Sequence, residues 1–308
     1  MLKQRTIRKA VHAIGIGVHS GEKVRMTLRP AGENTGIVFV RGDVQGSAPI
    51  AAQADNVSDT TLSTSLGHGE VQVSTVEHLM SALWGLGIDN LIVELSAQEV
   101  PIMDGSASPF VDLINTVGIV EQNAAKEFIR ITRPITVTQG DAEATLTPFA
   151  GFKAGYTFEA DHPVYNRHPK YAELDFSSIS YVDQVSRARS FGLIKELEQA
   201  QAINKCLGSS LDNAVGIDED QVLNEGGLRY DDEFVKHKLL DVIGDLYLLG
   251  RPILGAFHGH KSGHALNNKL ARALLRCEDA WELATFELPA KEAAVREPIL
   301  QPAAVSVV

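Results

Sequence analysis

The chain has 308 residues, 44% of them hydrophobic, which supplies one large or two ordinary cores and excludes a disordered protein. Its 28 Lys and Arg stand against 39 Asp and Glu, a formal charge of -11, so a broad nucleic-acid surface would work against the protein's own field, whereas a few basic side chains in one cleft could still meet a small anionic substrate. The two cysteines, Cys206 and Cys277, offer one possible disulfide in a chain far too large to need it, which fits a reducing, cytoplasmic setting, and neither lies in a Cys-x-x-Cys pair.

The basic start, MLKQRTIRKAVHAIGIGVHS, lacks a secretory core because His12, Gly15, Gly17 and His19 interrupt its apolar run. No stretch approaches the roughly 20 apolar residues of a membrane span, so no transmembrane segment is expected and only transient contact with a membrane surface is left open. Lys23 to Leu28 alternates polar and apolar side chains as a half-buried strand, and IVFV after Gly36 is a second strand. Gly46 to His68 reads as a Ser/Thr-rich insert. In STVEHLMSALWGLG the period changes: Val76, Leu79, Met80 and Leu83 form a helical stripe, with Ser74 as its cap and Gly85 or Gly87 near its end. NLIVEL is then a strand and SPFVDLINTVG a shorter helix.

A boundary is expected near Asn123 to Glu127. Beyond it KEFIRITRPITVT and GFKAGYTFEA read as strands, and Arg189 to Ile217 is a second insert with a helix in FGLIKELEQAQAINKCLG. DDEFVKHKLLDVIGDLYLLG is a strong helix, PILGAFH a strand, and SGHALNNKLARALLR a further helix. Both halves run strands, helix, strand, helix, which predicts an α+β protein made by duplicating a two-layer unit: a mainly antiparallel sheet packed on helices, with a small insert in each half. The expected division is residues 1–125, with an insert near 46–68, then 126–300, with an insert near 190–217, and a loose tail at 301–308. A monomer is the expected working form.

His237, Asp241 and Asp245 recur every four residues and share one helix face. Imidazole and carboxylate both suit zinc, and His78 is the best candidate for a third ligand, leaving a fourth position for water as in a catalytic site. The spacing also fits a surface pair or cap network, and Ser74-x-x-Glu77 fits a capping box as well as a general base beside His78. Asp245 reads either as a ligand or as a carboxylate that orients an imidazole. His264 opens the last helix, and a nearby Asp245 would restore the proton affinity that a helix start removes. His258 and His260, two apart at a strand end, are rival ligands. GIGVHSG looks like a phosphate loop, but its glycines precede a strand where the dinucleotide fingerprint needs a helix, so they read as turns around His19.

In order, GIGVHSG, STVEHLMSALWGLGIDN, PIMDGSASPF, SRARSFG, VLNEGGLRY, HKLLDVIGD and KSGHALNNKL resemble the UDP-3-O-acyl-N-acetylglucosamine deacetylase family, over about Thr6 to Pro298. That family performs the committed step of lipid A synthesis in Gram-negative bacteria. The resemblance implies one catalytic zinc ion held by His78, His237 and Asp241, Glu77 as general base, His264 as catalytic histidine with Asp245 beside it, and Lys238 as active-site lysine. Ser190 stands where the family has Thr; the hydroxyl survives without its methyl. An acylated UDP-sugar is the implied substrate, its acyl chain in an apolar passage near Phe191, Ile194, Leu197, Cys206 and Ala214, with His19 and Lys238 also binding substrate. The implied reaction hydrolyses the 2-acetamido group to acetate and a free amine. A zinc amidohydrolase for another acylated sugar, or a nucleotide-sugar-binding protein without turnover, would use the same residues; iron takes similar donors.

Overall fold

Periodicity in the sequence becomes a buried and a solvent-facing side in each element. In Lys23–Pro30, Val24, Met26 and Leu28 are fully buried while Lys23, Arg25 and Arg29 face outward. The computed structural model describes residues 1–69 and 71–286, so the tail expected at 301–308 lies outside the described residues.

The first half comprises β1 (Lys3–Ile7), β2 (Val11–Ile16), β3 (Lys23–Pro30), β4 (Ile37–Arg41), β5 (Ile50–Ala51), β6 (Val57–Asp59), β7 (Ser65–His68), β8 (Val71–Val73), α1 (Glu77–Leu86), β9 (Leu91–Leu95), α2 (Ser108–Val117) and β10 (Ile119–Ala125). The second comprises β11 (Phe128–Ile131), β12 (Ile135–Gln139), β13 (Ala142–Thr147), β14 (Phe152–Thr157), α3 (Pro163–Asn166), β15 (Tyr171–Asp175), α4 (Ser178–Gln184), β16 (Phe191–Leu193), α5 (Ile194–Ala202), β17 (Val215–Ile217), α6 (Glu233–Tyr247), β18 (Ile253–His260), α7 (His264–Arg276) and β19 (Trp281–Ala284).

Pairing shows the same unit used twice. In the first sheet β2 and β3 form an antiparallel hairpin, β9 pairs antiparallel with β3 and parallel with β4, and β4 pairs antiparallel with β5. The second sheet repeats that succession with β12, β13, β18, β14 and β15, and adds β11 and β19. The strand entered last, β9 or β18, lies between a helix before it and a helix after it in both halves. The fold is therefore the α+β duplication that the element order predicts.

The inserts differ in detail from their expected limits. β6, β7 and β8 form a separate three-stranded sheet, so the first insert closes at Val73 instead of His68. Phe191–Leu193 belongs to a strand and not to the helix expected there, because it pairs in parallel with Val215–Ile217; helix begins only at Ile194 and ends at Ala202. The α1 start is also corrected. Ser74 does not cap the helix; its amide donates to the Gln98 carbonyl, Thr75 turns the chain at φ +58°, and Val76 precedes the first helical residue, Glu77. Gly87, at φ +69°, closes α1.

α1 and α6 pack directly on one another, and one apolar core passes through both halves, joining Leu79 and Leu83 to Leu240 and Ile243. Gly244 sets that approach: a Cβ there would lie 2.0 Å from the Glu77 carbonyl oxygen. Lys126, in the link between β10 and β11, reaches Asp89 at 2.8 Å and the Gly87 carbonyl at 3.1 Å, tying the link to the end of α1. Among the described residues no helix is long and apolar enough to cross a membrane.

Gly244→Ala should lower the unfolding free energy by about 1–3 kcal/mol, the usual cost of overpacking a core, read as a lower urea midpoint. An unshifted midpoint would mean that the two helices can separate without penalty.

Candidate metal centre and catalytic site

Tight packing of α1 on α6 sets the start of one helix against the middle of the other. His78 comes from the first turn of α1, and His237 and Asp241 from successive turns of α6; one ligand atom from each lies within 4.8 Å of the others, and all three residues are buried. Asp241 Oδ1 stands 3.5 Å from His78 Nε2 and 3.4 Å from His237 Nε2. These separations are long for hydrogen bonds. They match ligand atoms around one ion, since donors about 2.1 Å from a tetrahedral zinc lie about 3.4 Å apart. Asp241 Oδ1 has no hydrogen-bond partner among the described residues, which also fits a cation at this point.

The protonation states suit coordination. His237 is pushed down to about 3, first by burial and then by the neighbouring His78 and Lys238, so its imidazole is neutral despite Asp241. Its Nδ1 lies 3.1 Å from the Ala188 carbonyl, which as acceptor leaves the Nε2 lone pair free for a metal. Burial alone would raise the Asp241 pKa; the Lys238 ammonium, whose Nζ donates to Oδ2 at 2.7 Å, holds it well below the usual carboxylate value.

Beside this cluster stand a carboxyl group and an imidazole, both with raised proton affinity. Glu77 is 3% exposed, and burial raises its pKa although His264 and His78 oppose the shift. Its Oε2 accepts the Thr64 amide at 3.0 Å and its Oε1 lies 4.0 Å from His264 Nε2. Burial would strip His264 of its proton, but Asp245, 2.9 Å from Nδ1, together with Glu77 and Asp241, raises its pKa to about 10. Asp245 lies outside the metal-binding trio; its oxygens are taken by His264, Asn267 and Thr64.

A cavity of about 490 Å³ opens over these groups, and Ser190, Phe191, Ile194, Leu197, Cys206, Ala214, His19 and Lys238 all line it together with Glu77, His78, His237, Asp241 and His264. The Ser190 hydroxyl donates to the Gly105 carbonyl at 3.3 Å. Lys238 Nζ lies 5.8 Å from the centre of the Phe191 ring. Burial lowers the His19 pKa against the pull of Glu99, and His19 Nδ1 lies 3.5 Å from Cys206 Sγ.

His258 and His260 do not join the cluster. They lie on the solvent-facing side of β18, where His260 Nε2 meets Glu159 at 3.1 Å. The glycines around His19 serve a turn: the His19 and Ser20 amides both donate to Glu99, and a Cβ on Gly17 would lie 2.2 Å from that carboxylate.

Four supporting residues escaped the sequence reading. Asn267 and Glu233 left a signal, since they lie one turn from His264 and His237 respectively. Glu233 is fully buried and accepts the Arg189 amide and guanidinium and the Arg229 amide, holding the segment that carries Ala188 and Ser190 against α6. Thr64 and Glu99 left none, because their partners are distant in the chain.

Three buried donors converging on one point beside a carboxylate and an imidazolium, with a cavity above, are the equipment of a metal-dependent hydrolase. Sequence comparison narrows the class. The model of the UDP-3-O-acyl N-acetylglycosamine deacetylase family, LpxC, matches residues 4–276. A UDP-3-O-acyl-N-acetylglucosamine deacetylase of Hahella chejuensis (strain KCTC 2396) is 57% identical over 287 residues, covering 93% of this chain and 95% of that protein. The chain belongs to this deacetylase family.

In metal-free protein followed by NMR, the His264 imidazole should titrate near pH 10 instead of 6.5. Because its folded pKa lies above the unfolded one, this interaction adds stability that is complete below pH 6.5 and is lost as pH rises through about 10. Asp245→Asn should bring the titration back toward the ordinary value; no movement would remove Asp245 as the cause.

Proposed function

We propose that this chain is a zinc-dependent deacetylase that hydrolyses the 2-acetamido group of UDP-3-O-(3-hydroxyacyl)-N-acetylglucosamine, releasing acetate and the free amine in the committed step of lipid A biosynthesis. The observation that carries the reading is Asp241 Oδ1, buried without a hydrogen-bond partner and facing two imidazole nitrogens at 3.4 and 3.5 Å. Zinc suits this donor set, and when bound there it would activate a water molecule and polarise the amide carbonyl.

The chain's own groups divide the proton transfers. Glu77, kept buried beside His78, takes the proton lost by the attacking water as the new C–O bond forms. His264, held as imidazolium by Asp245, opposes negative charge on the former carbonyl oxygen and then gives its proton to the nitrogen as the C–N bond breaks. The Ser190 hydroxyl, which donates to the Gly105 carbonyl in this structure, would turn from it to donate to that oxygen. Lys238 keeps Asp241 charged and binds substrate beside Phe191. Phe191, Ile194, Leu197, Cys206, Ala214 and His19 form the wall met by the acyl chain. The free state of Cys206 and Cys277 suits work in the cytoplasm, and a monomer has the whole cluster within one chain.

Chelation should abolish acetate release from the acylated UDP-sugar, and zinc should restore it; activity that survives complete metal removal would overturn the reading. Glu77→Gln should keep its metal, by elemental analysis, and lose roughly a hundredfold or more in turnover. Near-normal turnover with intact metal would remove Glu77 as base. The pH profile should be bell-shaped, falling on the acid side as Glu77 is protonated and on the alkaline side as His264 loses its proton. A profile that shows no fall as pH passes through about 10 would remove His264 as acid.

A further inference from the structure

Thr64 lies in the chain between β6 and β7, within the Ser/Thr-rich insert, and is 1% exposed. All its polar groups are engaged. Its amide donates to Glu77 Oε2 at 3.0 Å, its hydroxyl donates to Asp245 Oδ1 at 2.7 Å, and its carbonyl accepts the Val76 amide at 3.3 Å, just before α1. Glu77 belongs to the first half and Asp245 to the second, so one residue of an insert grips a carboxylate from each.

We propose that Thr64 is a positioning residue for the deacetylation, fixing from a single point the carboxylate that takes a proton and the carboxylate that aims the imidazole that gives one. A carboxylate is free to turn about its last single bond unless its oxygens are distinguished. Thr64 distinguishes them in both cases. Its amide occupies Glu77 Oε2 and leaves Oε1 on the side of His264, 4.0 Å from Nε2. Its hydroxyl occupies Asp245 Oδ1 and leaves Oδ2 to the His264 ring and the Asn267 amide, each at 2.9 Å. Bonds to ionised oxygens are short and strong, and within a buried site they resist reorientation more than in water. The acid and the base are thereby held at a constant separation before substrate arrives.

This inference rests on Glu77 and His264 acting as base and acid, so the experiment separates the two. Thr64→Val keeps the side-chain volume and removes the hydroxyl; Thr64→Ser keeps the hydroxyl; Thr64→Ala substitutes if the valine variant does not fold. Each is compared with Glu77→Gln for kcat and KM on the acylated UDP-sugar, for bound metal and for Tm. Solvent exchange of the His264 ring N–H is followed by NMR in metal-free protein. Thr64→Val should lower kcat by about tenfold to a hundredfold, the usual cost of losing an outer hydrogen bond to a site group. KM and metal content should stay near wild type, ring exchange should quicken, and Thr64→Ser should recover most of kcat. Wild-type kcat in Thr64→Val beside an inactive Glu77→Gln would overturn the role of Thr64 alone. Loss of metal or Tm in step with kcat, without recovery in Thr64→Ser, would make Thr64 merely structural. An active Glu77→Gln with intact metal would instead remove the reading beneath it.

Discussion

The candidate centre depends on two helices from different halves touching backbone to side-chain-free backbone. Gly244 of α6 lies under the Glu77 carbonyl of α1, so close that a methyl group would overlap it. That contact gives the first turn of α1 its height along α6 and brings His78 level with His237 and Asp241, residues that local sequence cannot join. The trio that could hold a metal is thus tertiary in origin: neither half contains it alone, and the apolar core shared by α1 and α6 supplies the free energy that assembles it.

That assembly concentrates charge where water is scarce. Glu77, Asp241 and Asp245 are all buried, and the cationic groups among them are Lys238 and His264. Each carboxylate except Asp241 has both oxygens directed at a donor or cationic neighbour within the protein; Asp241 has Lys238 on one oxygen and only the two imidazole nitrogens facing the other. A divalent cation there would supply the missing contact. The same environment drives neighbouring groups apart in proton affinity: burial leaves the His237 imidazole neutral, whereas Asp245 keeps His264 charged only one packed helix away.

Much of this was legible in the sequence wherever the signal was local. Alternation identified β3, β4 and β9, helical spacing identified α1, α6 and α7, and their order gave the duplication. The four-residue recurrence of His237, Asp241 and Asp245 put those side chains on one helix face, but it could not say which two of the three acted together; the family resemblance set Asp245 apart, and the position of α7, with His264 and Asn267 against Asp245, gives the physical reason. The resemblance to a family selected His78 over His258 and His260. The Ser74 cap failed because positive φ at Thr75 bends the chain and Thr64, thirteen positions back, supplies the amide that Glu77 accepts. Contacts of that kind leave no period to read.

α5 has none of its residues fully buried, and β16 and β17, which flank it, pair with each other apart from the two main sheets. α5 is therefore a surface appendage whose side chains contribute little to holding the molecule together, whereas Val215 and Ile217 of β17 are buried with Phe234 of α6 in a second, smaller core. Changes at Ile194, Leu197 or Ala200 can alter the lining while leaving the core of α1, α6 and the sheets untouched. Selection for folding therefore bears lightly on that helix, and its side chains are free to answer to whatever the cavity must hold.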